Sequence, residues 1–90
     1  MSEGVDFHVL HDVVVCFNNI KSLLTMSERR VKLLIRLIRY CSKYNRDFEK
    51  YISWLENLSN TLHRISEDVD TVGRQVVSKV EEEYRKSKKE

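Results

Sequence analysis

The sequence contains no proline and only two glycines, Gly4 and Gly73, among its 90 residues. It also lacks the Asn-Gly and Asp-Gly pairs that form tight turns between strands. A β-sheet needs frequent turns, so this shortage argues against one. A long chain without helix breakers favours long helices instead. The sequence therefore predicts an all-α protein.

Cysteines are few and long apolar runs are absent. Cys16 and Cys41 are too few for a disulfide framework and have no CxxC spacing, so we expect buried, reduced thiols in a cytoplasmic or nuclear protein. The longest apolar run covers residues 13–17, whereas a membrane span needs about 20 apolar residues. The acidic first residues do not resemble a secretory signal peptide. We therefore expect an intracellular protein.

Motifs of catalysis are also missing. There is no glycine-rich phosphate loop, nucleophile elbow or zinc-protease motif. His8, Asp12 and Cys16 lie four residues apart and roughly share one helical face, which is a possible metal-binding arrangement. The simpler interpretation is a set of surface side chains beside a buried cysteine. We expect no enzymatic activity, no cofactor and no bound metal.

The overall composition is that of a small folded domain. Hydrophobic residues make up 41% of the chain, which is enough to exclude wholesale disorder. Sixteen basic and 14 acidic residues leave a net charge of +2, so the charge alone does not identify a nucleic-acid-binding protein. We interpret residues 1–90 as a single helical coiled-coil domain.

The first part of the chain has the apolar spacing of a helix over about residues 5–24. The β-branched run Val13–Val15 would suit a strand, but no second strand is available to pair with it. Thr25 and Glu28 have the spacing of a capping box, which forms at the start of a helix. This predicts a turn at residues 25–27 and one long helix over about residues 28–87.

The long predicted helix carries a seven-residue repeat that continues for six repeats. Apolar side chains alternate every three and four residues, the pattern of a coiled coil. Segments 57–61 and 68–73 contain weak helix formers, and we expect at most a bend or fraying there. The first repeat positions are Leu34, Cys41, Phe48, Leu55, Leu62, Val69 and Val76. The fourth repeat positions are Leu37, Tyr44, Tyr51, Leu58, Ile65 and Val72.

The apolar face is wide in the first half of this long helix and narrow in the second half. We therefore predict a helical hairpin, in which the short N-terminal helix folds back on the wide half. The narrow half then offers a seam to partner chains. Trp54, at the edge of the seam, is either an interface anchor or buried under the first helix. The predicted partner-binding residues are Trp54, Leu55, Leu58, Leu62, Ile65, Val69, Val72 and Val76.

Charges beside the seam bear on the identity of the partner. The charged residues at the seventh repeat position, Asp47, Asp68 and Glu82, are all acidic, and the fifth position carries no charge. Two parallel copies would therefore form no attractive pair across the seam. We predict a non-catalytic structural or adaptor subunit that binds other coiled-coil proteins, with a hetero-oligomer favoured over a homo-oligomer.

A row of basic residues supports an alternative function. These residues recur every three or four positions on the face opposite the seam, and such a line of cations can bind phosphates. The simpler interpretation is a solvated face. The alternative is therefore a module that binds nucleic acid, an anionic surface or an acidic partner. The basic row consists of Lys32, Arg36, Arg39, Lys43, Arg46 and Lys50.

Overall fold

The structure is a computed structural model that describes residues 4–89, with side chains described as far as Lys88. Two α-helices, α1 (Phe7–Ser42) and α2 (Glu49–Lys89), make up most of the chain. A turn at residues 43–45 and a short 3-10 helix (Arg46–Phe48) connect them. Residues 4–89 contain no strand, so the all-α prediction is confirmed for this part of the chain.

The first helix begins at a side-chain cap. Oδ1 of Asp6 accepts a hydrogen bond from the backbone N–H of Val9, at 3.0 Å. This satisfies one of the N–H groups that a helix leaves free at its start. The β-branched run Val13–Val15 is helical, as predicted, because the helical apolar spacing continues on both sides of it.

The predicted turn at residues 25–27 is wrong, because α1 continues through these residues without interruption. A capping box satisfies N–H groups where a helix starts, but it does not oblige the preceding helix to end. Leu24 and Val31, on either side of the segment, are both partly buried and continue the same helical face. With no glycine or proline here, continued helix is the favourable conformation.

The single long helix over residues 28–87 is also wrong, because the chain reverses direction after Ser42. The Oγ of Ser42 donates a hydrogen bond to the carbonyl oxygen of Arg39, at 2.6 Å. Asn45 is extended, and its Oδ1 accepts a hydrogen bond from the N–H of Asp47, at 3.0 Å. Short polar side chains that bond the local backbone in this way compete with helix and start new elements.

α2 is continuous through both segments where weak helix formers cluster, residues 57–61 and 68–73. In the first segment, the Thr61 hydroxyl donates a hydrogen bond to the carbonyl oxygen of Asn57, at 2.9 Å. In the second, Gly73 is buried against the ring of Phe17 from α1. The helical apolar pattern therefore outweighs the low local propensity in both places.

The two helices lie side by side and antiparallel. Phe7 lies near Tyr84 at one end of the molecule, with ring centroids 6.4 Å apart and the rings tilted by 60°. Nearer the turn, Arg39 forms an ion pair with Glu56. Residues 7–24 therefore lie beside the far half of α2, and not beside residues 28–54 as predicted. The misplaced turn explains this error.

The side chains between the helices recur every three or four residues on each helix, and together they form a thin core. Only Ile35 and Leu55 among the described hydrophobic residues are less than one tenth exposed. The α1 residues in this row include Leu10, Val14, Phe17, Leu24, Val31, Ile35 and Ile38. The α2 residues include Phe48, Ile52, Leu55, Ser59, Leu62, Ser66, Val69 and Gly73.

The resulting molecule is a rod. Its extents are 69 × 16 × 14 Å, and its radius of gyration is 20.2 Å. A compact domain of this length has a radius of gyration of about 12 Å. A rod two helices wide cannot bury both faces of its helices, so much apolar surface is left on the outside.

Candidate functional site

The two long sides of the helix pair differ in chemistry. On one side, which we call the charged side, ion pairs connect the helices: Lys21 Nζ lies 2.5 Å from Asp70 Oδ1, and Arg39 Nη2 lies 3.3 Å from Glu56 Oε1. His63 lies between Glu28 of α1 and Glu67 of its own helix, at 3.8 and 3.0 Å. Most of these side chains are well exposed, so the pairs contribute little to stability.

The Lys21–Asp70 pair changes the acidity of its carboxyl group. The hydrogen bond from Lys21 lowers the pKa of Asp70 below the ordinary value, 3.8. Partial burial acts in the opposite direction, and the positive charges of Lys21 and Arg74 lower the pKa further. The charged side is therefore a set of satisfied polar contacts between the two helices.

The opposite side, which we call the apolar side, carries large hydrophobic residues that no other part of the structure covers. Residues seven apart on each helix share this side, and Ser27 and Arg30 of α1 and Thr61 of α2 are among the polar residues that interrupt its middle. α1 and the turn contribute Val9, Val13, Cys16, Ile20, Leu23, Leu34, Leu37, Cys41 and Tyr44. α2 contributes Tyr51, Trp54, Leu58, Ile65, Val72 and Val76.

At the open end of the rod, away from the turn, the apolar side forms a groove between the helices. The groove has a volume of about 390 Å³. It is lined by Val9, Asp12, Val13, Cys16, Phe17 and Ile20 of α1 and by Val76 of α2. At the turn end, by contrast, the apolar side protrudes. Trp54 is 63% exposed there, and Leu37 is 53% exposed.

The structure divides the predicted partner-binding seam between two surfaces. Leu55, Leu62 and Val69, from the first repeat position, lie between the helices and are buried or half-buried. Ile65 and Val72, from the fourth position, are exposed on the apolar side. Leu58 is half-buried at the edge of the core, and Val76 borders the groove. The seam is divided because residues at the first and fifth repeat positions of α2 face α1, whereas those at the fourth position do not.

Trp54 is on the outside of α2, so the interpretation that α1 buries it is wrong. α1 also contributes to the apolar side, which was not predicted. The signal was present, because Val13, Ile20 and Leu34 are separated by multiples of seven residues, as are Val9, Cys16, Leu23 and Leu37. This continuity crosses residues 25–27, where a turn was predicted.

The expectation that both cysteines are buried is wrong for Cys16, which is exposed at the groove. Cys41 is half-buried, and both thiols are free. Cys16 falls on the flank of α1 and not on the row that faces α2, so the helix pair alone does not cover it. Its burial would require another chain on the apolar side.

The predicted basic row does not form one straight line. Its members are all exposed, but the chain reversal gathers them around the turn end of the rod. Two of them lie over aromatic rings. Lys43 Nζ is 5.9 Å from the ring centroid of Tyr40, and Lys50 Nζ is 5.2 Å from that of Tyr51. A hydrogen bond with Tyr44 raises the pKa of Tyr40.

Two further features bear on function. Between residues 4 and 89, no three His, Cys, Asp or Glu side chains form a group that could hold a metal ion. Within the same range, neither helix is both long and apolar enough to cross a membrane. No protein-family model, curated protein or solved structure matches the chain.

Proposed function

We propose that the protein is a non-catalytic coiled-coil subunit, built as a helical hairpin, that assembles with other helical chains through its apolar side. The observation that carries this proposal is the contrast between the core and the surface. Among the described residues only Ile35 and Leu55 are buried hydrophobic side chains, whereas Leu23 and Trp54 are each 63% exposed. A contiguous apolar surface of this kind is typical of a protein–protein interface.

The shape of the apolar side supports a helical partner. It follows most of the 69 Å length of the rod, and its residues repeat with the spacing of a helix face. Another helix or helix pair can lie along such a row by interdigitating side chains every three and four residues. A small ligand would instead need a compact concave pocket with a few polar groups converging on it.

Two aspartate substitutions in α1 test the proposal. Ile20 and Val15 are both β-branched and similarly exposed, at 43% and 38%. Ile20 lines the groove on the apolar side, whereas Val15 faces away from it. Ile20→Asp places a charge in the proposed interface, and Val15→Asp makes the same chemical change outside it. The pair therefore separates loss of the interface from loss of helix stability.

The measurement is the mass of the assembly that contains the protein, obtained by native purification from the cells that make it and by sedimentation velocity. We expect Ile20→Asp to abolish assembly and Val15→Asp to preserve it, with circular dichroism showing similar helicity for both. The proposal is wrong if the two variants assemble equally well.

A second candidate function uses the basic turn end to bind an anionic surface or nucleic acid. The exposed clustering of Lys43, Arg46 and Lys50 around the turn favours it. Reversing these three charges to glutamate should then abolish binding to heparin or to duplex nucleic acid without loss of helicity. Binding by the unchanged protein should also weaken steeply with salt, because it releases counterions. Salt-insensitive binding would contradict this candidate.

A further inference from the structure

We propose that the helical partner is a second copy of this chain, docked antiparallel on the apolar side to form a four-helix bundle. This inference rests on the proposed function and specifies its partner. In the bundle, the turn end of each copy lies beside the open end of the other. The arrangement has twofold symmetry, so the same apolar side of both copies forms the interface.

The exposed area is large enough for such a dimer. The chain has an accessible surface of 7508 Å². A compact monomer of 10.8 kDa exposes about 5,500 Å². The excess is therefore roughly 2,000 Å², and permanent interfaces bury about 1,000 Å² or more on each partner. Covering one long side of the rod would lower the accessible surface of the chain to about that of a compact protein of the same mass.

The charge distribution favours the antiparallel orientation. Residues 28–64, which form the turn half of the rod, carry nine basic and four acidic residues. Residues 4–27 and 65–88, which form the open half, carry six basic and eight acidic residues. Parallel docking would place the two strongly positive halves side by side. Antiparallel docking places each positive half beside a negative half, which lowers the repulsion.

The sizes of the side chains favour the same orientation. The apolar side is bulky near the turn, where Tyr44, Tyr51 and Trp54 protrude. Near the open end it carries smaller residues around the groove of about 390 Å³. Antiparallel docking places bulky residues against small ones, as close filling of a core requires. Parallel docking would crowd the aromatic residues together and leave the groove empty.

The contacts within the rod indicate how the two copies align. Phe7 lies beside Tyr84, and Lys21 lies beside Asp70. By this alignment Trp54 is level with residue 37 of its own chain. If two antiparallel copies overlap along their full length, twofold symmetry places α2 over α2, and Trp54 is level with about Ser78 of the other copy. Each indole then lies near Val76, on the α2 side of the other copy's groove, which provides two equivalent anchor contacts per dimer.

The charges at the seventh repeat position disfavour only two parallel copies joined along one unbroken helix over residues 28–87. The chain reversal after Ser42 removes that helix, and the apolar side combines residues of α1 and α2. The charges that matter are therefore those of the two halves of the rod.

Sedimentation equilibrium on the purified full chain tests the stoichiometry, and we expect a reversible dimer of twice the chain mass. Trp54→Ala should weaken the dimer at least tenfold. Leu33→Ala, a truncation at an exposed residue on the outer face of α1, should change the dimer constant less than threefold. Equal effects of the two substitutions would overturn the assignment of the interface.

Electron–electron double resonance tests the orientation. A nitroxide on Lys43→Cys, with Cys16→Ala and Cys41→Ala, marks the turn of each copy. In an antiparallel dimer the two labels should be separated by nearly the full length of the rod, 69 Å. In a parallel dimer they would be within about two helix diameters, roughly 20 Å. The shorter distance would overturn the inference.

The outcomes separate this inference from the proposed function. The purified chain could be a helical monomer that assembles with a different chain. If Ile20→Asp then abolishes that assembly and Val15→Asp keeps it, the inference is wrong and the proposed function stands. If the purified chain is a helical monomer, and both variants assemble with other chains as the unchanged protein does, the inference and the proposed function are both wrong. A dimer with the long distance between labels supports both.

Discussion

Phe17 of α1 lies directly against Gly73 of α2, so that a Cβ atom on Gly73 would be 3.1 Å from Cδ1 of Phe17. A glycine within a helix is destabilising by about 1 kcal/mol relative to alanine. Here the missing side chain lets the aromatic ring approach the backbone of α2. The space that a Cβ atom would occupy is therefore filled by Phe17.

The effect of a substitution at Gly73 on the free energy of unfolding should change sign as the new side chain becomes larger. Gly73→Ala should raise the free energy of unfolding by up to about 1 kcal/mol, because helix propensity improves and Phe17 borders a groove of about 450 Å³ into which it can shift. Gly73→Ile should lower it by about 1–3 kcal/mol, because the larger side chain must displace the ring. Urea unfolding followed by circular dichroism at one protein concentration measures both changes.

The double variants Phe17→Ala/Gly73→Ile and Phe17→Ala/Gly73→Ala provide the control. Without the Phe17 ring, the free energies of unfolding of the isoleucine and alanine variants at position 73 should differ much less than they do with the ring present. If the difference between isoleucine and alanine does not depend on Phe17, the approach of the two residues does not explain the effect.

The helical class was predictable from the sequence, but the position of the turn was not. The spacing of apolar residues determined the class, and it is independent of where the chain reverses. Thr25 and Glu28 suggested a helix start, yet a capping sequence permits a turn without requiring one. Asn45 was the better signal, because it lies at the midpoint of the 90 residues. Two helices of similar length joined there bury more surface against each other than a short helix packed on a long one.

Truncation of the buried Leu55 should be much more damaging than truncation of the exposed Ile65. Leu55 is 4% exposed between the helices, and Leu55→Ala should lower the free energy of unfolding by about 2–5 kcal/mol. Ile65 is 42% exposed on the apolar side. In dilute solution, Ile65→Ala should change the stability by less than about 1 kcal/mol. Thermal unfolding of both variants at low protein concentration measures the difference.

The effect of Ile65→Ala should grow as the protein concentration rises, because assembly buries this residue. The effect of Leu55→Ala should be large at every concentration. An equal effect of Ile65→Ala at low and high concentration would show that the apolar side stays uncovered.

The members of the apolar side were only partly predictable. Ile65 and Val72 were identified because the repeat in α2 is regular. Their assignment to one seam with Leu55 and Leu62 was wrong, since α2 has apolar residues around more of its circumference than one neighbour covers. A sequence pattern gives the angle between side chains on a helix, but not which direction its neighbour occupies. The direction in which α1 lies from α2 depends on where the chain reverses.

The Lys21–Asp70 pair should make stability depend on pH in the acid range. Because the pKa of Asp70 is lower in the folded chain than its ordinary value of 3.8, the pair stabilises the fold above about pH 4. This stabilisation should disappear as the pH falls through the folded pKa. Lys21→Gln should therefore be less stable than the unchanged protein at pH 6, and the difference should vanish near pH 2.

Lys21→Arg is the matched control, because it keeps a cation opposite Asp70. Its unfolding free energy should follow that of the unchanged protein from pH 6 to pH 2. A constant difference between Lys21→Gln and the unchanged protein over this range would show that the pair does not respond to the charge of Asp70.

The exposed thiol of Cys16 should report whether the apolar side is covered. In a Cys41→Ala background, Cys16 is the only thiol and borders the groove. At low protein concentration it should react with maleimide at the rate of an exposed thiol. As the concentration rises and the dimer forms, the rate should fall in proportion to the remaining monomer, because the partner covers the groove. Stopped-flow alkylation over a dilution series measures this dependence.

A thiol on the opposite side of α1 is the necessary comparison. Val15→Cys, in a chain with Cys16→Ala and Cys41→Ala, places a cysteine one residue away but outside the proposed interface. Its reaction rate should be the same at every concentration. If both thiols slow down together, the helices themselves become more ordered on association. If Cys16 does not slow down over the range in which the mass doubles, the dimer forms through a different surface.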